Sequence, residues 1–322
     1  MVDRLQNIGF YTLNDSRAKT ASIKNPLARC ELILTDRCNF RCSYCRHNSG
    51  YERSKSLPYE QAEKTIRFWA SEGLINVRFS GGEPTLYKRL DDLVLFTKSL
   101  GVKRIAISTN GSAKLDFYKY LIHCGVNDFS ISLDDCSPEG VKKMSGGLDV
   151  WDRLINNIRE LSKLTYVTVG MVFNEENVAR AKESVLFAAS LGVSDIRVLS
   201  SAQFNVALDE LKDLPDEVLN RFPVLKYRIN NFRKGRGVRG LSETDSNRCK
   251  IVLDDMAVAG DKHFPCIIAL REGMEPIGEV GPNMREERQR WSELHDTHKD
   301  PICRANCLDC IIKYNNIASQ AN

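Results

Sequence analysis

The chain has 322 residues, 42% hydrophobic and 27% charged, with a formal net charge of +4. That composition suits a globular protein with one large domain, with or without a small appendage, and excludes a chain too polar to bury a core. The mild charge gives no footprint of a nucleic-acid or membrane partner, no run reaches the length of a membrane span, and MVDRLQNIGFYTLNDSRAKT lacks the apolar core of a signal peptide, so a cytoplasmic protein is expected.

Residues 1–29 form an N-terminal extension. From there, short apolar runs alternate with amphipathic stretches. ELILTD (31–36) reads as a buried strand, and YEQAEKTIRFWASEG (59–73) has helical spacing with a terminal Gly. NVRFSG (76–81) is a strand and KRLDDLVLFTKSLG (88–101) a helix. RIAIST (104–109) is a strand and KLDFYKYLIHCG (114–125) a helix. DFSISLD (128–134) is a strand and VWDRLINNIRELSK (150–163) a helix. YVTVGMVF (166–173), NVARAKESVLFAASLG (177–192) and DIRVLSS (195–201) read as strand, helix and strand.

Six apolar strands separated by helices imply parallel βα units covered on both faces. The fold class is α/β, a partial (β/α)6 barrel over residues 30–202, with the chemistry on loops at the C-terminal strand ends. A doubly wound open sheet is the alternative that periodicity leaves open. Polar punctuation falls where a barrel puts its mouth: a cysteine-bearing loop after the first strand, SGGEPT (80–85) after the second, STNG (108–111) after the third and SLDD (132–135) after the fourth. Residues 203–248 form a polar connecting segment. Within it KYRINNFRKGRGVRG (226–240) carries six basic residues and no acidic one, and reads as a solvated face. Residues 249–322 form a small cysteine-rich α+β extension, in which DDMAVAGDKHFPC reads as a hairpin turning near Ala259–Lys262.

The chain has eleven cysteines, and a reducing compartment makes disulfides a poor explanation for them. Cys38, Cys42 and Cys45 have C-x3-C-x2-C spacing. Cys249, Cys266, Cys303, Cys307 and Cys310 lie near the C-terminus. Clustered thiolates favour zinc or iron–sulfur. Three thiolates cannot fill the four corners of a four-iron cluster, so either a fourth protein ligand joins them or one iron is left for a non-protein ligand. A zinc knuckle completed by His47 is the alternative.

The triad, Tyr44 within it, and SGGEP together resemble a radical S-adenosylmethionine (SAM) enzyme, over about residues 30–202. In that family three thiolates hold a [4Fe–4S] cluster, and SAM chelates the open iron through its amino and carboxylate groups. SAM cleavage then gives a 5′-deoxyadenosyl radical that abstracts hydrogen from an unactivated carbon.

The resemblance implies that Gly81 and Gly82 let the backbone approach a ligand, Glu83 meets the ammonium of SAM, and Pro84 fixes the turn. It further implies that Ser108, Asn110, Ser132 and Asp134 meet the carboxylate or ribose of SAM. Arg197 and Leu199 would form the adenine-side wall, and Tyr44 would offer an aromatic face near the cluster.

The C-terminal cysteines resemble the SPASM extension of this family and its shorter form, Twitch, which hold auxiliary [4Fe–4S] clusters. Five cysteines suit one cluster, on Cys249 and Cys266 with two of Cys303, Cys307 and Cys310, the pair Cys307–Cys310 being preferred. Zinc is the rival there too.

The implied activity is oxidative modification of a C–H bond in a peptide or a small polar metabolite, fed by an electron donor such as flavodoxin or ferredoxin. Peptide-modifying relatives carry a leader-binding domain. The roughly 30 residues before the first strand are too few for one, so a peptide substrate is expected to need a separate partner. Two alternatives stay open. One is a redox-neutral epimerase or isomerase with Cys136, just beyond the fourth strand, as hydrogen donor. The other is a non-catalytic iron–sulfur or zinc protein binding nucleic acid through residues 226–240. His295 and His298 read as surface residues.

Overall fold

A computed structural model describes residues 16–46, 55–202 and 208–320. Residues 1–15 of the N-terminal extension and His47 lie outside the described residues. Six parallel strands appear where the sequence places them: β1 (Arg29–Thr35), β2 (Asn76–Gly81), β3 (Arg104–Thr109), β4 (Asp128–Ser132), β5 (Tyr166–Phe173) and β6 (Asp195–Ser200). They pair in strict chain order, each with the next. A doubly wound sheet reverses its order at a switch point. This one does not, so right-handed crossovers put successive helices on one face. The opposite face is left to line a cavity, to which all of β1–β6 contribute, as a curved, barrel-like sheet requires.

The helices show why these segments fold locally. In α1 (Tyr59–Ser71) the buried residues Ala62, Thr65, Ile66 and Trp69 recur at helical spacing and face the sheet. The helix stops at Gly73, whose φ of 77° favours glycine. The other crossover helices are α2 (Leu90–Ser99), α3 (Leu115–Cys124), α4 (Pro138–Met144), α5 (Trp151–Leu164) and α6 (Ala181–Ser190). One continuous apolar core runs beneath them, with Trp69, Phe79, Tyr118, Phe129 and Phe173 fully buried. Each such side chain contributes about 1.5–3 kcal/mol of transfer energy.

After β6 the chain forms two helices, α7 (Asp216–Leu219) and α8 (Pro223–Arg233), and then returns to the sheet. β7 (Asp255–Ala259) pairs in parallel with β1, on the edge opposite β2, in the register Arg29↔Asp255 to Ile33↔Ala259. β8 (Lys262–Phe264) and β9 (Gly278–Glu279) extend this edge antiparallel, giving a nine-stranded sheet. The hairpin turns where the sequence predicts it, with Ala259 opposite Lys262 and Gly260 at φ 62°.

The short helix α9 (Ile267–Arg271) follows Cys266; α10 (Met284–Leu294), α11 (Pro301–Asn306) and α12 (Asp309–Gln320) complete the chain. The cysteine-rich region is thus built onto the barrel sheet. Buried Arg29 on β1 reaches Asp254 at 3.1 Å, and Tyr314 on α12 donates to the same carboxylate at 3.2 Å. No helix of the described residues is long and apolar enough to cross a membrane.

Candidate active site

The end of β2 holds the root of the cysteine loop. Gly82 N donates to Thr35 O at 2.7 Å, and Glu83 N to Arg37 O at 2.8 Å. A Cβ on Gly81 would overlap Thr35 O, one on Gly82 would overlap Arg37 O, and Gly81 has φ 141°. Both glycines touch the cavity, but the close approach they permit is between two loops of the chain itself.

Glu83 departs from the expected role. Its carboxyl is fully buried behind the cavity wall and accepts from Thr85 N (3.0 Å), Thr85 Oγ1 (2.7 Å), Thr109 Oγ1 (2.7 Å) and Asn110 N (2.7 Å). Burial raises its pKa, and these hydrogen bonds oppose the rise. Glu83 therefore ties the ends of β2 and β3 together. Pro84 opens a buried 3-10 turn beside it, also behind the wall.

Asn110 carries that scaffold to the thiols. Its Nδ2 donates to Asn39 Oδ1 at 2.8 Å and lies 3.9 Å from Cys38 Sγ. Phe40 N points at the same sulfur at 3.4 Å. Tyr44 adds a link that sequence reasoning missed: its hydroxyl donates to Asp134 Oδ2 at 2.6 Å, while Val172 N donates to Oδ1 at 2.7 Å. Burial raises the Asp134 pKa to about 6. The loop is thus pinned to the ends of β2, β3, β4 and β5.

Cys38, Cys42 and Cys45 all face one cavity of about 350 Å³, a size within the range of ligand pockets. Burial, with negative charge from Asp134, Cys45 and Cys38, pushes the Cys42 thiol well up, so a bound cation is what would keep it a thiolate.

The spacing of the sulfurs bears on the choice of metal. Tetrahedral zinc with Zn–S near 2.3 Å needs sulfurs about 3.8 Å apart. Among the described residues no three cysteine sulfurs come within 4.8 Å of one another. The cysteine sulfurs thus do not stand in threes at zinc spacing, whereas His295, Asp300 and Cys303 offer ligand atoms within 4.8 Å of one another.

Ser108, Ser132, Asp134, Arg197, Leu199 and Asn110 line the same cavity, together with Tyr44. The sequence carries a further signal here: cavity-facing positions recur every second residue along a strand and are polar on β2 and β4, Arg78 and Ser80, Ser130 and Ser132. Cys136, like Glu83 and Pro84, is a predicted residue outside the cavity lining. Its sulfur sits 3.0 Å from Arg180 Nη2.

The second thiol group reaches the cavity from the β7 side, through Cys266 and Cys310. Cys307, raised by burial, has Cys249, Cys266, Cys303 and Cys310 as its negative neighbours, so all five sulfurs converge around it. Cys303 is raised by burial and then by Cys249 and Cys266, which places it with the group rather than outside the preferred pair Cys307–Cys310. His295, expected at the surface, stacks on Trp291 with ring centroids 4.1 Å apart. Its Nε2 lies 3.4 Å from Asp300 and 4.0 Å from Cys303 Sγ.

Buried Arg288 holds the arms that carry Cys249 and Cys266. It donates to the carbonyls of Val252 (2.7 Å), Asp255 (2.6 Å), Phe264 (2.9 Å) and Pro265 (3.2 Å), and to His263 Nδ1 at 3.1 Å.

The basic stretch 226–240 is not the uniform solvated face that its composition suggests. Arg228 is 2% exposed on α8, and both Arg228 and Arg239 turn into the cavity wall. Helical spacing within 223–233 was the available signal, hidden by the density of charge. Arg46, Arg78 and Arg271 also line the wall and were not singled out.

A radical SAM superfamily model matches residues 32–188. A GTP 3′,8-cyclase of Nautilia profundicola is 30% identical over 221 residues, 66% of this chain and 68% of that protein. A probable GTP 3′,8-cyclase of Saccharolobus solfataricus is 31% identical over 177 residues, 54% of this chain and 57% of that one. Among solved structures, Streptococcus suis SuiB bound to S-adenosylmethionine aligns with TM-score 0.59 and 17% identity, covering 87% of this chain and 67% of SuiB. The structure of anSMEcpe with bound AdoMet and the Cp18Cys peptide gives TM-score 0.54 and 14% identity, over 91% of this chain and 96% of that one. At these identities the solved structures show the shared fold alone.

Proposed function

Because the chain belongs to the radical SAM superfamily, we propose that it oxidises a C–H bond of a small polar metabolite, with a Twitch-like auxiliary [4Fe–4S] cluster beside the substrate. The observation that carries this reading is the single cavity touched by both thiol groups, Cys38, Cys42 and Cys45 on one side and Cys266 and Cys310 on the other.

The residues fit both groups: the donors are thiols, converge in two sets, and among the described residues no three of their sulfurs lie within 4.8 Å of one another. Bound together, the first cluster and SAM supply hydrogen abstraction, and a cluster at the second group supplies an acceptor for the electron that an oxidation leaves behind. The chain's own residues orient and enclose. Gly82, Glu83 and Asn110 fix the cysteine loop, Asp134 and Ser132 offer polar contacts, and Arg197 and Leu199 close the far wall. A small reductant protein such as a flavodoxin or ferredoxin would deliver the electron that starts turnover.

A second reading is the activity in the relatives' names, cyclisation of GTP. Their 30 and 31% identity favours it, and six arginines in the cavity wall suit a triphosphate. The chain spans 57 to 68% of those two relatives' lengths.

One experiment tests the common core and separates the two. Reduced, reconstituted protein is incubated anaerobically with SAM, and 5′-deoxyadenosine is measured with and without GTP, for wild type and Cys42→Ala. Cleavage in wild type and none in Cys42→Ala supports the radical SAM reading. Stimulation by GTP with deuterium transfer from labelled GTP selects cyclisation. Cleavage that is indifferent to GTP leaves the oxidation of another metabolite.

A further inference from the structure

The cavity wall between the two thiol groups carries more positive charge than its own acids match. Arg46 is held bidentately by Glu272. Arg228 uses Nη2 on Asp309 at 3.2 Å, while its buried Nε and Nη1 have no acceptor among the described residues. Among the described residues Arg271 makes only long contacts, 3.4 Å to Ser80 Oγ and 3.7 Å to Glu31, and Arg239 binds two backbone carbonyls, Ser200 O at 3.0 Å and Asn306 O at 3.4 Å, and no carboxylate. These groups sense one another: burial, and then the charges of Arg228, Arg271 and Arg46, lower the Arg239 pKa to about 10 against the opposing pull of Glu272.

We propose that Arg228, Arg239 and Arg271 form an oxyanion subsite that holds a phosphoryl group of the substrate. A single carboxylate is satisfied by one bidentate guanidinium, as Glu272 is by Arg46. Three further guanidiniums on one wall match an ion with more oxygens and more charge. Arg228 is buried and Arg239 half-buried, so their like charges are costly without a counter-ion, while Arg271, its side chain 40% exposed, stays accessible to a ligand. Arg271 ends the short helix that Cys266 caps, and the three arginines line the same cavity as Cys45 and Cys266. A phosphorylated metabolite anchored there would present its carbon skeleton to the space between the two thiol groups. The proposal rests on the reading that this cavity is the substrate site.

Titration calorimetry of inorganic pyrophosphate into the reconstituted holoenzyme, with saturating SAM present, tests it. Wild type is expected to bind with Kd below about 1 mM, and succinate more weakly. Arg271→Gln and Arg239→Gln should each weaken pyrophosphate about tenfold or more. Lys226→Gln, on the exposed side of α8, should bind as wild type does. Iron content and SAM affinity, measured on each variant, report folding. If Arg239→Gln does not fold, Arg239→Lys keeps the charge, loses the fork and should still weaken binding. Absence of binding, unchanged binding in the arginine variants, displacement by SAM, or tighter succinate would each overturn the subsite. Pyrophosphate binding that survives in a protein unable to cleave SAM would sink the radical reading and leave the subsite standing.

Discussion

Arg288 braces the segments that carry Cys249 and Cys266. Its guanidinium donates to four carbonyls and to His263, all on the segments running from Cys249 to Cys266. Replacing it by Met keeps an apolar stem and removes every one of these donors. An unsatisfied buried carbonyl costs about 1–3 kcal/mol, and relief from desolvating the guanidinium returns part of the total. The net loss should be about 3–5 kcal/mol, concentrated in the hairpin that bears the thiols. Arg288→Met should therefore show a lowered urea midpoint and lose the iron held by the C-terminal thiols, while the iron held by Cys38, Cys42 and Cys45 remains. An unchanged midpoint together with unchanged iron would show that the carbonyls are not held by Arg288, and the account of this region would fall.

Two further expectations follow from particular contacts. Gly82→Ala pushes a methyl into the Arg37 carbonyl, so it should displace the cysteine loop and abolish SAM cleavage, with the urea midpoint lowered by at least about 1 kcal/mol equivalent. A variant with wild-type iron and cleavage would refute the tight apposition of the two loops. His263 is buried and accepts from Arg288, and burial followed by the Arg288 charge lowers its pKa to about 3. Its depressed pKa contributes stability that is full above the unfolded value near 6.5 and declines as pH falls toward 3, by about 1.4 kcal/mol per pH unit within that window. Urea melts at pH 7 and 5 should show this loss in wild type and not in His263→Gln; parallel slopes would contradict it.

The barrel was legible because each βα unit announces itself locally: an apolar run, a turn, and a helix whose buried face repeats every three or four residues, as in Ala62, Ile66 and Trp69. The cysteine loop was legible because its spacing and its place after the first strand are both local. The pairing of β7 with β1 was not, since it joins segments more than 200 residues apart and nothing in DMAVA names its partner.

Glu83 was misjudged for a related reason. A carboxylate after two glycines looks free to bind a ligand until Thr109 and Asn110, on another strand, are seen to occupy it. Cys136 sits at the right strand end, but its thiol is directed to Arg180 instead of the cavity. Arg228 and Arg239 were hidden in a stretch whose charge density suggested solvent. A helix there turns one arginine of the run inward while Lys226 stays outside, a distinction that composition does not carry.

The most direct test of the account is iron and sulfide per chain after anaerobic reconstitution, in wild type and in Cys38→Ala/Cys42→Ala/Cys45→Ala. Two converging thiol groups on one cavity predict about eight irons in wild type and about four in the variant. About four in wild type and essentially none in the variant would contradict it, leaving the C-terminal cysteines without a cluster and the proposed oxidation without its second electron acceptor.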